Sequence, residues 1–211
     1  MNNYALMLKE GEGIPVDCNE AIKYYKMSID KCNMFAMNNY ALMLYFGQGV
    51  PVDYKDATKY YKIIIDKGLG SAKSNYAVML KYGEGIPVDY KAAIKYFKME
   101  IEKGSSGAMD NYAFMLKNWQ GVPADCEEAL KYFKMSIEKG NSFAITNYSD
   151  MLRKGEGTEI DLEGCIKYYK TGIEKGNPGA MLQYASMLEK GEDVEANAEE
   201  ANRLYKVALD T

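Results

Sequence analysis

Apolar residues recur along this chain with a helical period that is broken on a regular schedule. Ala36, Tyr40, Met43, Leu44 and Gly47 follow i, i+4, i+7, i+8 and i+11 spacing, which is one face of a helix. Gly47-Gln48-Gly49-Val50-Pro51-Val52-Asp53 interrupts that face. The two glycines end the first helix, and Asp53 stands where an N-cap opens a second. Ala57, Tyr60, Tyr61, Ile64 and Ile65 form the next apolar face, and Gly68 stops it. The pattern predicts helix A, a seven-residue loop, helix B and a short turn, with no strand.

The pattern returns every 36 residues. Tyr4, Tyr40, Tyr76, Tyr112, Tyr148 and Tyr184 mark helix A, and Tyr24-Tyr25, Tyr60-Tyr61, Tyr96-Phe97, Tyr132-Phe133 and Tyr168-Tyr169 mark helix B. Neither helix buries its face alone, so each pair must stack on the next. The chain 1–211 therefore reads as a single array rather than one globular core. Its units run approximately 1–35 (partial), 36–71, 72–107, 108–143, 144–179 and 180–211, the last a divergent cap. Met1 falls inside helix A, at the repeat position of Met37, Met109 and Met181, which implies a piece of a longer array. The tyrosine and methionine face of its first helix would stay open, which implies self-association through the N-terminal repeat.

The order Ala36, Tyr40, Ala41, Leu44, Gly47-x-Gly49-Val50, Asp53, Ala57, Tyr60-Tyr61, Gly68 resembles the Sel1-like repeat, a relative of the tetratricopeptide repeat. The resemblance covers nearly the whole chain. It departs at Tyr40, where the family usually has leucine, and at Leu44, where it usually has tyrosine. Trp119 replaces the first loop glycine of the fourth unit, Glu159 the loop proline of the fifth, and Asp193, Asn197 and Leu204 mark the divergent sixth. The resemblance implies an all-α, right-handed α-α superhelix (a solenoid) of about six 36-residue helix-loop-helix repeats. Helix A would line its concave side and helix B its convex side. It also implies adaptor or scaffold work, and it brings no catalytic residue.

Composition narrows the chemistry. The chain has no histidine, which removes Ser–His and Cys–His nucleophile pairs and most zinc and haem sites. The Gly-x-Gly loops lack the residues that turn a glycine loop into a phosphate cradle. Asp17, Asp53, Asp89, Asp125 and Asp161 fall one per repeat, about 9–10 Å apart by helix-packing distance, too far for one ion; N-capping accounts for each. The expectation is a non-enzyme with no cofactor and no metal. A net charge of −4 gives no global argument for nucleic acid, and no apolar run is long enough for membrane insertion. Cys18 and Cys32 flank opposite ends of one helix, roughly 20 Å apart at the helical rise, beyond bridging. Reduced thiols place the chain in the cytoplasm. The sequon Asn147-Tyr148-Ser149 carries little weight.

Two lysine columns run along helix B, one through Lys59, Lys95 and Lys131 and the other through Lys62, Lys98 and Lys134. Asp66, Glu102 and Glu138 follow the second by four residues and partly neutralise it, so the convex face reads as solvated. On helix A an amide ladder precedes the core tyrosines: Asn3, Asn39, Asn75, Asn111 and Asn147, continued by Gln183. An amide both donates and accepts. The ladder either ties neighbouring repeats together or grips an extended peptide backbone, as asparagine does at the equivalent position of tetratricopeptide repeats. The same alignment puts Asn38, Leu42, Tyr45, Phe46, Ser74, Val78, Lys81, Tyr82, Asp110, Phe114, Lys117, Asn118, Thr146, Asp150, Arg153 and Lys154 on the groove floor. Tyr45, Phe46, Tyr82 and Phe114 are aromatics outside the core column and suggest a contact site. Lys81, Lys117 and Arg153 share one position and would favour an acidic ligand. Trp119 is expected to pack within the stack. The reading is a non-enzymatic scaffold or adaptor that binds a partner peptide or protein in the concave groove. The alternative is a structural or regulatory arm of a larger signalling or secretory quality-control protein.

Overall fold

The computed structural model describes residues 1–68 and 72–210. Among them are twelve α-helices and no strand. The second unit's expected boundary at Ser71 lies outside the described residues. The chain divides into two compact units, Met1–Glu100 and Ile101–Thr211. The first holds α1 (Asn2–Glu10), α2 (Cys18–Ile29), α3 (Met34–Phe46), α4 (Tyr54–Asp66), α5 (Lys73–Tyr82) and α6 (Tyr90–Ile101), which ends at the border. The second holds α7 (Ser106–Lys117), α8 (Cys126–Glu138), α9 (Ala144–Lys154), α10 (Leu162–Glu174), α11 (Pro178–Lys190) and α12 (Ala198–Leu209). Odd-numbered helices are the A helices and even-numbered ones the B helices. In the first unit α1 packs on α2, α2 on α3, α3 on α4 and α4 on α5; in the second the same order runs from α7 to α12, and α9 also meets α11. The fold class is the all-α helix–loop–helix solenoid with six repeats that the period predicts.

Each loop is built around its capping residue. The carboxylates of Asp17, Asp53, Asp89, Asp125 and Asp161 accept the N–H three residues on at 2.8–2.9 Å. Asn197 does the same for Glu200 at 3.0 Å, so the divergent sixth repeat keeps its cap. The backbone N–H of these residues donates back to Leu8, Leu44, Leu80, Leu116, Leu152 and Leu188 at 2.9–3.2 Å. One residue thus starts helix B with its side chain and satisfies an orphan carbonyl of helix A with its backbone.

Two loop glycines have distinct reasons. At Gly47 (φ 70°) an added Cβ would press on Val52 at 2.9 Å. Trp119 takes the same left-handed conformation (φ 58°), and there the valine position is Ala124, which leaves room for the Cβ. The indole then points away and is 77% exposed, so it does not pack within the stack as expected. At Gly85 a Cβ would collide with the Tyr54 carbonyl, because the loop of the third repeat sits on the first turn of α4.

Small residues let helices approach: Ala57, Ala93 and Ala129 on the B helices and Ala41, Ala77 and Ala113 on the A helices are fully buried. Tyr25, Tyr61, Phe97, Phe133 and Tyr169 fill the core. The preceding tyrosine of each pair lies edge-on to the helix A tyrosine of its own repeat. Tyr4–Tyr24, Tyr40–Tyr60, Tyr76–Tyr96, Tyr112–Tyr132 and Tyr148–Tyr168 have centroids 4.8–5.6 Å apart. Such T-shaped pairs add about 0.5–1.5 kcal/mol each beyond their area. Tyr4, Leu6 and Met7 on α1 remain exposed.

Candidate partner-binding groove

On α3, Asn38, Leu42 and Tyr45 follow i, i+4, i+7 spacing and share a face; Ser74, Val78 and Lys81 do the same on α5. Between these faces lies a cavity of about 230 Å³ lined by Leu42, Tyr45, Phe46, Tyr61, Asn75 and Val78. The Tyr45 ring packs edge-on against Phe46 at 4.9 Å and Tyr54 at 5.3 Å. Its hydroxyl donates to Glu84 Oε2 at 2.8 Å. Burial, and then this carboxylate, push the Tyr45 phenol well above the usual range. Phe46 is 62% and Tyr82 54% exposed, so two predicted aromatics stand open at this surface. Lys81 is buried, with Nζ 4.7 Å from the Tyr82 ring centroid, and offers no cation to the groove surface.

The amide ladder divides. Asn39 donates to Asn2 Oδ1 at 3.4 Å and lies beside the buried Tyr25 hydroxyl, whose pKa burial pushes up to about 12 while the amide opposes it. Asn75 stands in the same relation to Tyr61, where burial again raises the phenol. Both hydroxyls are shut off from water without a well-formed hydrogen bond. These two amides therefore face the repeat before them. Asn111 folds back on its own helix, donating to the Gly107 carbonyl at 3.0 Å. Asn147 is half-buried, at a place where the preceding repeat has Phe133 and no hydroxyl.

In Ile101–Thr211 several of the remaining predicted groove residues are engaged within the protein. Phe114 is half-buried. Lys117 pairs with Glu156 at 3.1 Å. Arg153 lies 3.9 Å from Glu192 and 3.8 Å from Asp193. Asn118 donates to the Phe114 carbonyl at 2.7 Å. Tyr169 donates to Asp150 in a short hydrogen bond. The two predicted cations thus already have carboxylate partners in the next repeat. Sequence reasoning missed those partners, although Glu84, Glu156 and Glu192 recur at the repeat period.

On the helix B face, the lysines are exposed, and the ion pairs described run to glutamates in the first turn. Lys23–Glu20, Lys131–Glu127 and Arg203–Glu200 span 2.7–3.0 Å. A glutamate N-terminal to its lysine is the favoured helical order. The sequon lies inside α9, with Asn147 half-buried and Ser149 fully buried. No helix among the described residues is long and apolar enough to cross a membrane.

A family model of the Sel1 repeat matches residues 1–31, 35–69, 70–105, 106–141, 142–177 and 178–210. Among curated proteins none matches the sequence. Among solved structures, a Sel1 repeat protein from Oxalobacter formigenes is similar over 98% of this chain and 83% of its own, with 22% identity and a TM-score of 0.88. A protective antigen of uropathogenic Escherichia coli strains, displaying an SLR fold, is similar over 99% of this chain and 45% of its own, at 23% identity and a TM-score of 0.76. An immunity protein from Pseudomonas aeruginosa is similar over 90% of this chain and 73% of its own, at 15% identity and a TM-score of 0.62. At these identities the likeness is one of fold.

Proposed function

The chain belongs to the Sel1 repeat family, whose members generally mediate protein–protein interaction, and from that premise we propose a non-enzymatic scaffold that holds an extended segment of a partner protein on the helix A face of Met1–Glu100. The observation that carries this reading is the cavity between α3 and α5, with exposed Phe46 at its wall and exposed Tyr82 on α5. Its volume of about 230 Å³ lies below the range of small-molecule sites and suits one side chain of a longer ligand. Exposed aromatics around an apolar hole are the usual anchors of an interface. Acidity in the partner finds less support, because Lys117 and Arg153 are already engaged with carboxylates.

Filling the cavity tests the proposal. Val78→Trp should abolish capture of partner proteins on the immobilised chain while helicity by circular dichroism is kept. The double variant Lys95→Ala, Lys131→Ala on the helix B face should capture the same set as the parent. If Val78→Trp retains that set and the lysine variant loses it, the groove is the wrong surface.

A further inference from the structure

Three cross-repeat contacts use the same two columns: a residue near the end of helix A, and a glutamate in the loop of the next repeat. In Ile101–Thr211 the first column supplies cations, Lys117 to Glu156 at 3.1 Å and Arg153 to Glu192 at 3.9 Å. In Met1–Glu100 it supplies Tyr45, whose hydroxyl donates to Glu84 at 2.8 Å. A phenol satisfies one lone pair of the carboxylate and leaves its charge in place. Among the described residues, no ion pair includes Glu84.

Glu84 is also held in position. Its carbonyl lies 3.2 Å from Thr58 Oγ1, and the neighbouring Gly85 is wedged against the Tyr54 carbonyl. The carboxylate is half-buried and bonded to Tyr45, which forms part of the cavity wall. A fixed negative charge therefore stands beside an apolar hole sized for one side chain. Charge in such a place selects partners more than it adds raw affinity. The net charge of the chain, −4, acts in the same sense.

We propose that this site reads a two-part signature in an extended peptide: an apolar side chain seated among Leu42, Phe46 and Val78, and a neighbouring lysine or arginine paired with Glu84. The proposal rests on the groove reading above and gives it a sign: the ligand is basic at this point, where the shared position of Lys81, Lys117 and Arg153 had suggested an acidic one. An acidic neighbour would meet like charge, and a neutral one would leave the carboxylate without a cation.

The test titrates the full chain, methyl-labelled at leucine and valine, with two hexapeptides of glycine and serine that carry a central phenylalanine followed by lysine or by glutamate. The lysine peptide should shift the Leu42 and Val78 methyl resonances and bind about fivefold tighter than the glutamate peptide at low salt. Glu84→Gln, which keeps an acceptor for Tyr45, should bring the two peptides level. Tyr45→Lys, which installs the cation found at Lys117, should do the same. If both peptides shift those methyls equally in the parent, the charge reading is overturned and the groove reading stands. If neither peptide moves either methyl at millimolar concentration, the groove reading fails and this inference with it.

Discussion

The helix A faces of the two units carry one scaffold and two chemistries. Leu42, Tyr45, Phe46, Tyr61, Asn75 and Val78 enclose a cavity of about 230 Å³. Two repeats on, the same positions are Phe114, Lys117, Asn118, Phe133, Asn147 and Asp150. There Lys117 reaches Glu156, Asn118 turns back to its own helix, and Asp150 takes the Tyr169 hydroxyl. In a stack of repeats, a polar side chain near a seam is drawn into knitting neighbours together. An apolar side chain at the same place has nothing to bond and leaves a hole. A site for a partner arises where apolar Leu42, Phe46 and Val78 leave a hole beside the cross-repeat bond from Tyr45 to Glu84, and the comparison can be attacked from either side.

The harshest way to break it is to damage the scaffold that both units share. Gly85→Ala would force a Cβ into the Tyr54 carbonyl at φ 72°. Left-handed strain and an unrelieved backbone clash together should cost about 3 kcal/mol or more. Gly157→Ala, which would meet the Cys126 backbone, should cost a similar amount in the other unit. Gly13 has a similar φ of 73° with nothing within 4 Å, so Gly13→Ala should cost only about 1–2 kcal/mol. Urea denaturation measures all three. Equal losses at Gly13 and Gly85 would show that the seating of loop on helix contributes nothing.

Alkali should separate the units next. Burial raises the phenols of Tyr25 (to about 12), Tyr45 and Tyr61 in the first unit and Tyr169 in the second. It also raises the Cys165 thiol to about 11. A group whose pKa is raised on folding stabilises fully below its unfolded value and loses that contribution as pH climbs through its folded one. The second unit should therefore begin to weaken first, from about pH 9 through Cys165, and the tyrosines should follow above about pH 10. Cys165→Ala, the residue this column otherwise carries, should remove the early phase. Circular dichroism recorded alongside tyrosinate absorbance reads the order; an unchanged early phase in Cys165→Ala would assign it elsewhere.

The scaffold was legible in the sequence because its causes are local. Asp53 before an apolar run, the loop glycines and the tyrosine columns each act within one repeat, and the period multiplies the signal. The position of Tyr45 and Phe46 on the helix A face was legible for the same reason, and both line the cavity between α3 and α5. The contacts that decide the chemistry join residues 39 apart, such as Tyr45 with Glu84 and Lys117 with Glu156. Their sequence signal is only two columns side by side, and nothing local says which columns meet. Trp119 shows the reverse case: the alanine at Ala124 was a visible sign that the loop had made room for a side chain.

A finer cut compares two buried phenols in one column. Tyr169→Phe leaves the Asp150 carboxylate without its donor and should cost about 1–3 kcal/mol. Tyr61→Phe restores the ring that Phe97 and Phe133 already carry there. The Tyr61 hydroxyl lies near Asn75 without a well-formed hydrogen bond, so its loss should cost at most about 1 kcal/mol. Denaturation midpoints give both values. A cost at Tyr61 equal to that at Tyr169 would mean that the amide ladder knits the first unit as firmly as Asp150 knits the second.

The smallest expected effect rewrites the second unit's column as the first's. Lys117→Tyr removes a cation that pairs with Glu156 at 3.1 Å, the side chains being 18% and 32% exposed. Half-buried charges give back much of their attraction as desolvation, and the new phenol can donate to Glu156 as Tyr45 does to Glu84, so the exchange is close to neutral. Stability should change by no more than about 0.5 kcal/mol. The dependence on salt should change more clearly. The parent's ion pair weakens as salt is added, whereas a phenol–carboxylate hydrogen bond is less sensitive to screening. Urea midpoints at low and high salt should therefore converge for the variant. A loss above about 2 kcal/mol, the scale of breaking a desolvated ion pair, would show that the charge itself anchors this seam. The two chemistries could then not be exchanged between units, and the phenol–carboxylate seam of the first unit would be a different construction from the ion-paired seam of the second.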